Sequence, residues 1–119
     1  MNAQDVSTAE ALPWPATNFP APSKELLDQL EATYKDIHTH PELSMQETRT
    51  AGIAADWLDG LGYTVTRQVG RTGVVGILAN GAGPTVLLRA DMDALPMKET
   101  TGLDYASTAQ GTPADGESG

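Results

Sequence analysis

The sequence predicts a small α/β unit, two helices followed by about three strands, that is incomplete by itself. Three observations carry this. Apolar residues recur at spacings of three and four in two stretches, 23–40 and 44–61. β-branched residues then gather in short runs punctuated by Gly and Asn. The last run, Val86-Leu87-Leu88, is continuously apolar, as in a central strand covered on both faces.

Taken in order, residues 1–22 read as a flexible Pro-rich leader, because Pro13, Pro15, Pro20 and Pro22 prevent regular pairing. Trp14 and Phe19 stand among these prolines and either pin the leader to the domain surface or belong to a disordered tail. Ser23 is the expected N-cap of the first helix. Leu26, Leu27, Leu30, Tyr34 and Ile37 share one face, and Glu25 and Asp28 lie near the positive end of the dipole. Pro41 disfavours helical geometry at the residue before it, so this helix ends near His38–His40.

Ser44-Met45-Gln46-Glu47 fits a capping box, with the Ser44 hydroxyl accepting from the Glu47 amide and the Glu47 side chain reaching back. The second helix then runs to about Leu58 or Leu61. Its expected buried stripe is Ile53, Ala54, Trp57, Leu58 and Leu61, with Gly60 and Gly62 as stops. Tyr63–Arg67, Gly73–Ala79 and Thr85–Ala90 are the expected strands, and Asn80–Pro84 is a turn cluster. Residues 23–106 thus form a partial domain. Residues 107–119 are small and polar and read as a loop or tail. Helices on one side of such a sheet cannot cover both of its faces.

Composition excludes several functions. The net charge is −9, from 16 acidic and 7 basic residues. The basic residues are scattered singly, so no patch exists to neutralise phosphates, and neither nucleic acid nor an anionic membrane is an expected partner. No run approaches the ~20 apolar residues a membrane helix needs. The absence of Cys removes disulfides, thiolate nucleophiles and Cys-based zinc sites from these 119 residues. The N-terminal stretch carries Asp5 and Glu10 and no apolar h-region, so the expected location is cytoplasmic.

The candidate chemistry lies where the third strand ends. Sites in open α/β sheets gather beyond the C-terminal ends of strands. Asp91 and Asp93, two apart, would share a face of that strand. Such a pair can bind a hard cation or orient a metal-ligating His; equally, each Asp can simply accept backbone amides in a turn. His38 and His40, with Glu42 nearby, resemble a metal cluster at first sight. Two residues apart on a helix, however, their rings diverge, and imidazoles at a helix C-terminus also serve as caps. Gly70–Gly76 is Gly-rich, but a strand follows it where a dinucleotide fingerprint needs a helix. No Gly-x-Ser-x-Gly elbow occurs.

Five segments occur in one order: Ile37-His38-Thr39-His40-Pro41-Glu42-Leu43-Ser44, Glu47-Thr48-Arg49-Thr50, Thr72-Gly73-Val74-Val75-Gly76, Gly83–Pro96 and Thr101–Ser107. Together they resemble the start of the hippurate hydrolase and indole-acetyl-amino-acid hydrolase group, over roughly residues 24–107. These are metallo-amidohydrolases related to aminoacylases and carboxypeptidases. The resemblance implies a catalytic α/β domain of which this chain carries the N-terminal portion, interrupted in family members by a smaller lid or dimerisation domain. It implies a pair of divalent metals, zinc or manganese, in the intact enzyme, and hydrolysis of the amide bond in an N-acyl amino acid.

The resemblance also implies metal ligands from a His-Ala-Cys-Gly-His-Asp motif and a later paired-Glu motif. Neither occurs in these 119 residues. The expectation is therefore a fragment that is inactive alone and binds no cofactor. Its partner would be the missing C-terminal polypeptide, and the alternative is a non-catalytic folding or interaction unit. Asp93 matches the Asp that orients the metal site in related peptidases, and Asp91 takes the position of a metal-ligating His in those relatives. Asp93 is thus expected to orient ligands without binding metal, and Asp91 to be structural or to assist it. His38, His40 and Glu42 match a signature with a structural role.

Overall fold

The computed structural model describes residues 20–113. In chain order these form α1 (Lys24–Thr39), α2 (Thr48–Gly60), β1 (Thr64–Val69) and β2 (Gly73–Ile77). The strands pair antiparallel in a two-stranded sheet. This is a small, incomplete α/β unit, as the sequence predicts, with two of the three expected strands formed. The expected leader lies outside the described residues except for 20–22, and so do residues 114–119 of the expected tail.

α1 begins where its periodicity places it. Ser23 is the N-cap, and its Oγ accepts from the Leu26 amide at 3.1 Å. The helix stops at Thr39, where the His40 amide turns back to the Asp36 and Ile37 carbonyls just before Pro41. Its apolar face is poorly covered. No residue of α1 is buried, and Leu26, Leu27, Leu30 and Tyr34 are exposed.

α2 starts later than the capping box predicts, and by a different device. Its N-cap is Glu47, which makes no side-chain capping bond. Ser44 and Met45 form a turn instead, with Met45 at φ 63°. The Glu47 carboxylate accepts from the Met45 amide at 2.9 Å and from Thr72 Oγ1 at 2.6 Å. The cap comes from Glu42. Its Oε1 accepts from the Arg49 amide at 2.9 Å and its Oε2 from the Thr50 amide at 2.7 Å. A carboxylate there satisfies two orphan amides and complements the positive end of the dipole.

The buried face of α2 is also displaced from the expected stripe. Thr50, Ala51 and Ala55 are buried, whereas Ile53, Ala54, Trp57 and Leu58 are half-buried and Leu61 is exposed. Small residues at the contact let α2 approach the hairpin closely. Gly76 in β2 does the same from the other side: a Cβ there would meet Leu58 Cδ1 at 3.0 Å and Tyr63 Cδ1 at 3.2 Å.

The hairpin pairs Thr64 with Ile77, Val65 with Gly76 and Thr66 with Val75. Its register then shifts before Val69 meets Gly73. Gln68 stands in this irregularity at φ 59°, and the turn follows through Gly70 at φ 62° and Arg71 at φ 97°. A bulge of this kind sharpens the twist of a short ribbon.

Thr85–Ala90 is not a strand, which corrects the sequence expectation. Val86, Leu87 and Leu88 are 80 %, 87 % and 92 % exposed. A strand exists only through its neighbours' N–H and C=O groups, and no neighbour is in place among the described residues. The chain rejoins the unit at Ala94. Its amide donates to the Glu42 carbonyl at 2.8 Å, and Ala94 forms an isolated parallel bridge with Leu43.

Glu42→Ala is expected to destabilise α2 by about 1–2 kcal/mol, the usual cost of losing an N-terminal cap. Helical circular dichroism followed through a urea titration reads this, and Ser44→Ala should leave the curve within about 0.5 kcal/mol.

Candidate functional site

Asp91 and Asp93 sit on irregular backbone, so the alternation that would put them on one strand face does not operate. They are placed instead by the Leu43–Ala94 bridge, which draws the end of this segment against the α1–α2 linker. With Ser44, Glu47, Thr72 and Arg89 they line a hollow of about 300 Å³. Asp91 Oδ1 accepts from Arg89 Nη2 at 2.8 Å, and both side chains are largely solvated. Asp93 is exposed and makes no side-chain hydrogen bond among the described residues.

Glu47 is the buried acid of this hollow. The Thr72 hydroxyl bond pulls its carboxyl below the ordinary range, burial opposes that shift, and the Met45 amide adds to it. For Glu42, burial pushes the carboxyl up, but the Arg49 and Thr50 amides more than offset this and the net direction is down. Both groups therefore hold charge that the backbone uses.

The two histidines are not brought together. His38 Nε2 meets Glu99 Oε1 at 2.8 Å, and its ring packs edge-on to Tyr105 at 5.3 Å between centroids. His40 Nδ1 donates to the Asp36 carbonyl at 2.8 Å and lies 3.3 Å from the Asp36 carboxylate. That carboxylate also accepts from Arg49 Nη2 at 2.8 and 2.9 Å. Both imidazoles thus serve the end of α1.

Among the described residues no three His, Asp or Glu side chains converge on a point where a metal ion could be held. Several of the candidate donors are already engaged: Asp91 with Arg89, Glu47 with Met45 and Thr72, and His38 with Glu99. These residues do not fit the divalent metal pair that the sequence resemblance implies.

Sequence reasoning missed Glu99. Its Oε1 accepts from Thr101 Oγ1 at 2.5 Å and faces His38, while its Oε2 accepts from the Ser107 amide at 2.6 Å. This one carboxylate fastens residues 99–107 to α1. Thr39 Oγ1 and the Tyr105 carbonyl (3.4 Å) join the same contact. Gln46 Nε2 donates to the Thr112 carbonyl at 3.1 Å, so residues 107–112 form a tethered loop. Nothing local in Lys98-Glu99-Thr100 signals this role, because its partners lie up to 61 positions away.

No family model and no solved structure matches the chain. Curated relatives do. The chain is 46 % identical over 77 residues to a Rhodococcus jostii protein named for glutamate–cysteine ligase, covering 65 % of this chain and 10 % of that protein. It is 45 % identical over 87 residues to hippurate hydrolase of Campylobacter jejuni, covering 70 % of this chain and 23 % of the enzyme. It is 35 % identical over 91 residues to an IAA-amino acid hydrolase of Arabidopsis thaliana, covering 76 % of this chain and 21 % of the relative. The chain therefore spans about a quarter or less of the curated relatives it matches, and the resemblance read from its motifs is shown.

Hydrogen bonds from Thr101, His38 and Ser107 hold the Glu99 carboxyl down at about 2, against an ordinary 4.5. A depressed carboxyl stabilises the fold above its unfolded value and loses that contribution as pH falls toward its folded value. The near-ultraviolet dichroism of Tyr105 should thus persist to about pH 4.5 and fade toward about 2. Glu99→Ala should abolish it at neutral pH; an unchanged signal in that variant would rule the clasp out.

Proposed function

We propose that this chain, a segment of the hippurate hydrolase and IAA-amino acid hydrolase group, supplies the two-helix and hairpin portion of a metal-dependent amidohydrolase acting on N-acyl amino acids. The observation that carries this is the 45 % identity to hippurate hydrolase over 87 residues. Names that speak of hydrolysis recur among the relatives, including a thermostable carboxypeptidase of Saccharolobus solfataricus. The ligase name belongs to a protein of which only 10 % is matched.

In this reading the chain alone does not catalyse the reaction. Zinc or manganese in the intact hydrolase would draw its ligands from residues other than those described. Asp93 would orient groups at the edge of that site, with Asp91 assisting. The partner would be a polypeptide carrying the remaining hydrolase sequence. The uncovered Val86-Leu87-Leu88 run supports such a partner, since a strand from it could complete the sheet there. The accompanying location is the cytoplasm; no helix among the described residues is long and apolar enough to cross a membrane.

The same uncovered run favours a second reading, a non-catalytic interaction unit. An amidase assay on N-acyl amino acids separates the two. The chain alone should give no turnover above a metal-only blank. Mixed with the complementary polypeptide it should give metal-dependent turnover, and Leu87→Asp in this chain should prevent it. Complex formation without turnover would favour the interaction unit.

A further inference from the structure

A second concavity, of about 400 Å³, lies between α2 and the turn end of the hairpin. It adjoins the Asp91–Asp93 hollow, sharing Thr72 and Val74 with it, but is lined by different arginines, Arg67 and Arg71. Three observations converge on it. First, the four described arginines are not equivalent. Arg49 pairs with Asp36, Arg67 with Asp56 and Arg89 with Asp91. Arg71 alone makes no ion pair among the described residues, in a chain with 16 acidic residues.

Second, the backbone that presents this guanidinium is strained. Gln68 at φ 59° and Arg71 at φ 97° both occupy the left-handed region without being glycine. Both side chains line the groove, and both carry hydrogen-bond donors. Both positions belong to the bulge and turn of the hairpin, which fix where the two side chains start. Third, beside Thr48 and Thr72 the groove has an open apolar side. Ala51 and Val74 offer small apolar surfaces, and a Cβ on Gly52 would meet nothing within 4 Å.

The charge on Arg71 is not consumed by its acidic neighbour. Glu47 is held below the usual carboxyl range chiefly by the Thr72 hydroxyl, with Arg71 a lesser contributor. Its two oxygens are already taken, by the Met45 amide and Thr72 Oγ1. A free guanidinium presents a planar fork matched to the two oxygens of a carboxylate.

We propose that this groove binds a small organic carboxylate, its oxygens on Arg71 and its apolar body on Ala51 and Val74. The inference does not depend on the hydrolase reading. The probe is benzoate, titrated at constant ionic strength into the 15N-labelled 119-residue chain. Saturable shifts are expected at Arg71 Nε–H and at the Ala51 and Gly52 amides, with one shared dissociation constant on the order of 1 mM. Arg71→Gln should weaken binding by about tenfold or more, whereas Lys24→Gln should leave it unchanged. Inorganic phosphate should bind more weakly than benzoate, because it leaves Ala51 and Val74 uncovered.

Absence of saturation would overturn the proposal. So would unchanged affinity in Arg71→Gln, phosphate binding as tightly as benzoate, or a spectrum in which the Ala51 and Gly52 amides lack folded dispersion.

Discussion

The Glu42 carboxylate is the constraint on which the described structure depends. It sits in the linker between the helices and accepts the Arg49 and Thr50 amides, so it decides where α2 begins. The same residue's carbonyl takes the Ala94 amide, and Leu43 beside it pairs with Ala94. Leu43 also packs so close to Gly111 that a Cβ there would lie 3.0 Å from Leu43 Cδ1. Two stretches of chain without regular structure are thereby gathered onto one short linker. The unit is organised by polar attachment to that linker more than by an apolar core.

The weakness of the core follows from the same arrangement. The only buried apolar residues among those described are Ala51 and Ala55, and no large side chain is fully covered. Two alanines remove little apolar area from water, and at about 25 cal/mol per Å² their contribution is small against the entropy of ordering the chain. The larger apolar groups of α1 and of residues 86–88 stay in solvent. A chain that matches 23 % of a hydrolase's length would be expected to carry few of that protein's layers.

What the sequence disclosed was what is local. Ser23 capping α1, the stop before Pro41 and the two hairpin strands all arise within a few residues of their cause. The errors arise where a distant group wins. Ser44 and Glu47 have capping-box spacing, but Thr72 and the Met45 amide claim the Glu47 carboxylate, and Glu42 caps from outside the box. The most buried positions of α2 are the small residues Thr50, Ala51 and Ala55, whereas the large residues of the predicted stripe are only half-covered or exposed, although one of them, Leu58, reaches Gly76 of β2. Val86-Leu87-Leu88 has the composition of a central strand without the neighbours that would make it one. At the candidate site, the strand that was to present Asp91 and Asp93 on one face does not form, and Glu99 carried no local sign.

The segment from Thr85 to Arg89 also has a meaning for the life of the polypeptide. It combines a bare apolar run and unpaired backbone groups, with Arg89 at its end as its one charge. Such a stretch is adhesive toward its own kind and can seed stacked assemblies. Quality-control factors in a cell also read bare apolar segments as unfinished protein. The working lifetime of the chain would then be set by how fast this segment is capped after synthesis.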